Sequence, residues 1–116
     1  MIQARRNLQM LGASVIFGLL LVGCSNSLPE SKQDYAGDWQ SKEMELLILT
    51  DGTVAYKRSR NGVVTSVDGP IKEFSGSDIV VGFLFVTTTF EVTEGPHKVG
   101  KRWEMVVDGV RLARVD

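Results

Sequence analysis

Two Asp-Gly dipeptides, at residues 51–52 and 108–109, each stand between two runs rich in apolar residues. Asp-Gly in this setting is the strongest short-range signal for a β-hairpin, because a type I′ turn needs positive φ at both central positions. The first dipeptide joins residues 44–50 to 53–58, and the second joins 102–107 to 110–115. The chain is therefore predicted to contain at least two antiparallel hairpins, with Gly52 and Gly109 in the left-handed region.

A two-residue turn also sets the register of each hairpin, and the register decides which side chains face the core. The predicted facing pairs are Leu49 with Val54, Leu47 with Tyr56 and Glu45 with Arg58 in the first hairpin, and Val107 with Val110, Met105 with Leu112 and Trp103 with Arg114 in the second. Each hairpin would then have one largely apolar face.

The chain between the two hairpins also has the pattern of short strands separated by turns. Strands are predicted over 63–67, 71–74 and 79–92, with turns at Asp68-Gly69-Pro70 and at 75–78 and a break near Gly82. No helical period of apolar residues occurs from Gly37 onward. We therefore predict an all-β domain over 37–116, a small antiparallel barrel or sandwich of seven to eight short strands. A barrel is preferred, because closure removes exposed strand edges.

Phe83 and Phe85 alternate with Leu84 and Val86 in the most apolar part of this region. If Leu84 and Val86 belong to the core, both phenylalanines point outward. They would then form a contact surface for an envelope protein or for the bilayer. The alternative is a bulge at Gly82 that turns one of the two rings inward.

The N-terminal region has the features of an export signal. Arg5 and Arg6 precede an apolar run over residues 8–22, which is shorter than the roughly 20 residues of a membrane-spanning helix. The sequence Leu21-Val22-Gly23-Cys24 then resembles the bacterial lipobox. This resemblance implies cleavage between Gly23 and Cys24, removal of the signal peptide 1–23, and attachment of lipid to Cys24. An uncleaved anchor with a chance cysteine is the alternative.

Residues 24–36 are predicted to be the lipidated cysteine and a flexible polar tether that reaches roughly 20 Å. Ser25 follows the cysteine, where an aspartate would resemble an inner-membrane retention signal. The expected location is therefore the cell envelope, on the periplasmic face of the outer membrane. Cys24 is the only cysteine, so no disulfide forms within the chain.

Gly37-Asp38-Trp39 resembles the Gly-x-Trp sequence that opens the first strand of calycin barrels. In that family the tryptophan closes the barrel floor and a late arginine packs on it. The resemblance implies that Trp39 is a floor residue with Arg111 or Arg114 over its ring. The alternative is that Trp39 is an ordinary core residue. The remainder of the chain resembles small uncharacterised β-barrel lipoproteins.

Composition limits the function classes. Loss of residues 1–23 leaves 11 basic and 14 acidic side chains, a net charge of −3, which argues against nucleic-acid binding. His97 is the only histidine and is expected on a polar loop over 93–101, so neither a metal site nor a cofactor is predicted. No nucleophile motif occurs either, and we expect a protein that is not an enzyme.

The sequence therefore favours a lipid-anchored envelope protein whose β domain is a non-catalytic binding or assembly accessory module. Its expected partners are the membrane, through Cys24, and an envelope protein. A calycin-like carrier of a small ligand or lipid and an inhibitor of a periplasmic enzyme are the alternatives.

Overall fold

A computed structural model describes residues 27–115, which form one curled antiparallel sheet of nine strands, a half-barrel. A 3₁₀ segment, Glu30–Tyr35, precedes the sheet. The strands are β1 Gly37–Gln40, β2 Met44–Ile48, β3 Thr53–Arg60, β4 Val63–Ser75, β5 Asp78–Phe83, β6 Val86–Phe90, β7 Val92–Val99, β8 Arg102–Val107 and β9 Val110–Val115. Their order in the sheet is β6-β5-β4-β3-β2-β1-β9-β8-β7. The predicted all-β class is confirmed, although the described residues form more strands than the seven to eight expected.

The β8–β9 hairpin has the predicted register. Val107 pairs with Val110 and Met105 pairs with Leu112. Both residues of the Asp108-Gly109 turn have positive φ, 48° and 80°. These values are those of a type I′ turn, whose twist matches that of the flanking strands.

The predicted register of the β2–β3 hairpin is wrong by one residue. Ile48, rather than Leu49, pairs with Val54, and Leu46, rather than Leu47, pairs with Tyr56. Because side chains alternate along a strand, this shift exchanges the two faces of β2. Leu46 and Ile48 are buried, whereas Leu49 is exposed.

The cause of the shift is a three-residue turn over 50–52. The N–H of Leu49 donates to the Thr53 carbonyl, and the N–H of Gly52 donates to the Leu49 carbonyl. Gly52 has the expected positive φ, 87°, at the last turn position. An Asp51 carboxylate oxygen also accepts the Thr53 N–H at 2.9 Å. Asp-Gly thus supplies the left-handed glycine of a type I turn with a bulge.

The shift also changes the ion pair at the far end of this hairpin. Glu45 lies opposite Lys57 rather than Arg58. The Arg58 guanidinium instead pairs with the Glu43 carboxylate at 3.0 Å. The predicted Glu45–Arg58 pair is therefore wrong.

Strand β4 runs through the predicted turn at Asp68-Gly69-Pro70 without a break. Residues up to Pro70 pair with β3, and residues from Ile71 pair with β5. Pro70 thus lies where the strand exchanges one neighbour for another and where its missing N–H costs little. A register shift between Ile71 and Glu73 follows directly.

The predicted loop over 93–101 is mostly strand. It forms β7, which contains His97 and Pro96 and has register shifts on both sides of Glu94. Strands β6 and β7 are the two edges of the sheet, although they are joined by Glu91 alone. The Asp78 carboxylate holds this corner by accepting the Val92 N–H at 2.8 Å.

The segment 28–36 packs against the sheet, contrary to the prediction that it belongs to a flexible tether. Leu28 and Tyr35 are buried in the core. The N–H of Leu28 donates to the Thr50 carbonyl, and the Tyr35 hydroxyl donates to the Ser77 carbonyl at 3.0 Å. Within the described residues, the packed domain therefore includes the chain from Leu28 onward rather than from Gly37, and Leu28 lies four residues after Cys24.

Candidate functional site

The residues predicted for export and anchoring lie outside the described residues. This applies to the signal peptide, to the cleavage site between Gly23 and Cys24, and to the lipidation of Cys24. Among residues 27–115, no helix is long and apolar enough to cross a membrane. The same residues contain no group of three His, Cys, Asp or Glu side chains placed to hold a metal ion.

Phe83 and Phe85 lie at the tip of the β5–β6 hairpin, which we call the apolar tip and define as residues 83–86. The exposed fractions of Phe83, Leu84, Phe85 and Val86 are 70%, 76%, 95% and 80%. The prediction that Leu84 and Val86 belong to the core is therefore wrong, because the chain reverses at Leu84-Phe85 and not near Gly82. Phe83 pairs with Val86 without a register shift, so no bulge turns either ring inward.

The residues of this turn differ from those of the other hairpin turns. Positive φ is supplied by a glycine at Gly52, Gly62, Gly76, Gly100 and Gly109. In the β5–β6 turn the left-handed residue is Leu84, with φ 51°. A bulky residue in this region is uncommon and strained, and such strain concentrates at functional positions. The turn therefore keeps a large apolar side chain at Leu84, where glycine would fit the left-handed backbone better.

Gly82 allows the two strands to approach closely below the apolar tip. Its φ is 142°, and a Cβ at this position would collide with the Val86 carbonyl oxygen and lie 2.9 Å from the Thr87 Cα. Both neighbours are backbone atoms, which cannot rotate away as a side chain would. The hairpin thus depends on glycine directly beside the exposed apolar residues.

The apolar tip and the start of the packed domain are linked through Lys72. Ser27 and Lys72 line one groove, of about 390 Å³, between the N-terminal segment and β4. The Lys72 ammonium donates to the Leu84 carbonyl at 3.3 Å. The apolar tip and the N-terminal end of the domain therefore lie on the same side of the molecule.

Trp39 lies in the core with Arg114, one of the two predicted arginines, over its ring. Its side chain is fully buried, and its indole N–H donates to the Tyr35 carbonyl at 2.8 Å. The Arg114 guanidinium lies 5.7 Å from the Trp39 ring centre and 4.9 Å from that of Trp103. Gly37 leaves room for this arginine, because a Cβ there would lie 2.9 Å from the Arg114 Cγ.

Arg111 does not pack on Trp39. It joins the Glu94 carboxylate at 3.0 Å and the Glu104 carboxylate at 3.3 Å. Arg102 pairs with the other oxygen of Glu104 at 3.1 Å. The hydrogen bond from Arg102, and then that from Arg111, lower the pKa of Glu104 below its usual value. This network lies across β7, β8 and β9 and ties the β7 edge to the sheet.

Acid should weaken this network through Glu104. A carboxyl group whose pKa is lower in the folded chain contributes stability that is complete above its unfolded pKa and is lost as the pH falls through the folded value. Glu104→Gln should therefore lower the Tm at neutral pH. On acidification to about pH 3, the Tm of this variant should fall by less than the Tm of the unchanged protein. Thermal melts at the two pH values measure the difference. Glu73→Gln, on the exposed face of β4, is the control, and an equal acid loss in both variants would exclude a special role for Glu104.

The interior of the half-barrel is filled by packed side chains. The largest fully buried ones include Trp39, Leu46, Ile48, Phe90, Met105 and Leu112, all in one cluster. The groove beside Lys72 lies on the outer surface, where Pro29 and Lys72 are exposed.

Comparison with known proteins found no family model, no curated protein and no solved structure that matches this chain.

Proposed function

We propose that this chain is a lipid-anchored envelope protein whose β domain is a non-catalytic binding or assembly module. The observation that carries the proposal is the position of Cys24 in Leu21-Val22-Gly23-Cys24, four residues before Leu28, which is buried in the core. Cleavage before Cys24 would leave an intact packed domain with a short lead to the lipid. At about 3.3–3.6 Å per residue, the three steps from Cys24 to Ser27 span at most about 11 Å.

The filled interior favours a binding module over a carrier. A calycin-like carrier would hold its ligand inside the sheet, where ligand pockets typically enclose about 300–1,000 Å³. Here Trp39, Met105 and Leu112 occupy that space. Contacts with other molecules would therefore use the outer surface.

The lipid anchor is tested by Cys24→Ala in cells given labelled palmitate. The unchanged protein should incorporate the label and stay with the membrane pellet after a high-salt wash, because two or three acyl chains anchor stably. Cys24→Ala should lose both properties. Label in Cys24→Ala at the level of the unchanged protein would refute the assignment.

The same cells test the proposed location. Density separation of the two membranes should place the unchanged protein in the outer-membrane fraction. Ser25→Asp is the matched variant, because it keeps the lipid site and adds the residue that resembles an inner-membrane retention signal. It should move the protein to the inner-membrane fraction, and equal distributions for both proteins would argue against the proposed sorting.

A further inference from the structure

We propose that the apolar tip inserts into the bilayer that holds the lipid, so that the domain has two membrane contacts and one fixed orientation. This inference rests on the proposed lipid anchor, and it assigns the occupant of the exposed surface at residues 83–86. The occupant is a lipid bilayer surface and not a protein.

The position of the N-terminus supports a membrane occupant. Lipid on Cys24 would keep Ser27 within about 11 Å of the membrane surface. Ser27 shares its groove with Lys72, whose ammonium contacts the Leu84 carbonyl. The lipid on Cys24 would therefore hold the apolar tip close to the bilayer even before the tip itself contacts lipid.

The chemistry of the apolar tip suits the boundary between headgroups and acyl chains. Apolar and aromatic side chains on one surface of a membrane-bound element bury about 5–10 Å into this region. Insertion of a hairpin tip also brings backbone groups out of water, which costs free energy when they lack partners. The Leu84 carbonyl already has a donor in Lys72, and the Phe83–Val86 pair closes the β5–β6 ladder. The Lys72 ammonium, in turn, suits an anionic headgroup.

A second exposed apolar pair, Val63 and Val64, provides an internal control. Their exposed fractions are 63% and 59%, but they lie beyond the Asn61-Gly62 turn of the β3–β4 hairpin. The Leu28 N–H donates to the carbonyl of Thr50, in the turn that leads into the opposite end of β3. Eight residues of strand separate the two ends by roughly 25 Å. The proposed orientation therefore holds Val64 away from the bilayer that receives Phe85.

Fluorescence in vesicles tests the insertion. The lipidated full protein, purified from membranes, is reconstituted into phosphatidylethanolamine–phosphatidylglycerol vesicles with or without brominated acyl chains. Phe85→Trp should add emission that is shifted to the blue and quenched by bromine, relative to the unchanged protein. Val64→Trp should add emission that is not quenched. Quenching at neither position, or equal quenching at both, would overturn the proposal.

Flotation of the same vesicles separates this inference from the proposed function. Protein that fails to float with the vesicles would contradict the lipid anchor. Protein that floats, with unquenched emission from Phe85→Trp, would leave the anchor intact and refute insertion. If an envelope protein were the true occupant, this second result is the one expected, because the vesicles contain no other protein.

A variant with a different turn sequence tests the same membrane contact by removing the apolar side chains that make it. Leu84→Gly combined with Phe85→Asn places glycine at the left-handed position of the reversal and removes both exposed side chains, so the domain should melt at the same temperature or higher. Exchange of the lipidated protein between vesicles should become at least about tenfold faster, because two buried apolar side chains are lost from the membrane. Phe85→Ser alone changes an exposed side chain and keeps Leu84 in the turn. It should also make exchange between vesicles faster. Exchange rates equal to that of the unchanged protein in both variants would contradict insertion.

Discussion

Trp39→Ala is expected to lower the free energy of unfolding by about 3–5 kcal/mol, the range for removal of a large buried aromatic side chain. Trp39 is fully buried in the core and donates from its indole N–H to the Tyr35 carbonyl. It also carries the Arg114 guanidinium on its ring. The substitution would therefore leave a cavity and remove the contact between the N-terminal segment and β1. Since small domains have only about 5–15 kcal/mol of stability in total, much of the chain could unfold at 37 °C.

Urea unfolding of the soluble chain without residues 1–23 and with Cys24→Ala measures this loss. Trp103→Ala is the matched control, because Trp103 is only half-buried and contacts the same Arg114. Trp103→Ala should lower the free energy of unfolding by clearly less than Trp39→Ala does. Trp39→Phe retains one aromatic ring, removes the indole hydrogen bond and leaves a smaller cavity, so its loss of unfolding free energy should fall between the two. Equal losses for Trp39→Ala and Trp103→Ala would mean that Trp39 does not anchor the core.

The second large effect is expected for Gly82→Ala, at least about 3 kcal/mol. Its φ of 142° is unfavourable for a side chain, and the added methyl would collide with the backbone of Val86. The loss should spread beyond the hairpin, because β5 and β6 place Ile79, Val81 and Phe90 in the core.

Gly62→Ala separates the cost of an unfavourable φ from the cost of the steric collision. Gly62 has φ 80° in the β3–β4 turn, and a Cβ there meets no atom within 4 Å. Gly62→Ala should therefore lose only the free energy that a side chain costs at positive φ, about 1–2 kcal/mol. Thermal or urea unfolding of both variants gives the comparison. A Gly82→Ala loss no larger than that of Gly62→Ala would mean that the close approach of β5 and β6 is not needed for stability.

The two Asp-Gly hairpins show how far the sequence could predict the fold. Asp-Gly predicted both reversals, and it predicted the full register at residues 108–109. At residues 51–52 the same dipeptide closes a three-residue turn, in which Asp51 accepts the Thr53 N–H. Both turns need a left-handed glycine, so the dipeptide does not distinguish them. The alternation of apolar residues in β2 could not decide either, because Leu46, Leu47, Ile48 and Leu49 are all apolar.

The other errors arose from tertiary contacts that no local pattern reports. Leu28 and Tyr35 stand alone in a polar segment, and only the sheet offers them a place to be buried. Gly69-Pro70 has the residues of a turn, yet the strand exchange between β3 and β5 accommodates both residues. The exposure of Phe83 and Phe85 was predicted, whereas that of Leu84 and Val86 was missed because a Leu-Phe reversal carries no turn signal.

The most direct test of the central proposal is the intact mass of the protein purified from the cell envelope through a C-terminal tag. The proposed lipid anchor predicts a chain that begins at Cys24 and carries diacylglycerol, with or without a further acyl chain on its amino group. The Cys24→Ala variant, purified in the same way, should show no lipid-bearing mass. A mass equal to that of the unprocessed chain, or to that of a processed chain without lipid, would contradict the anchor and remove the basis for membrane insertion of the apolar tip.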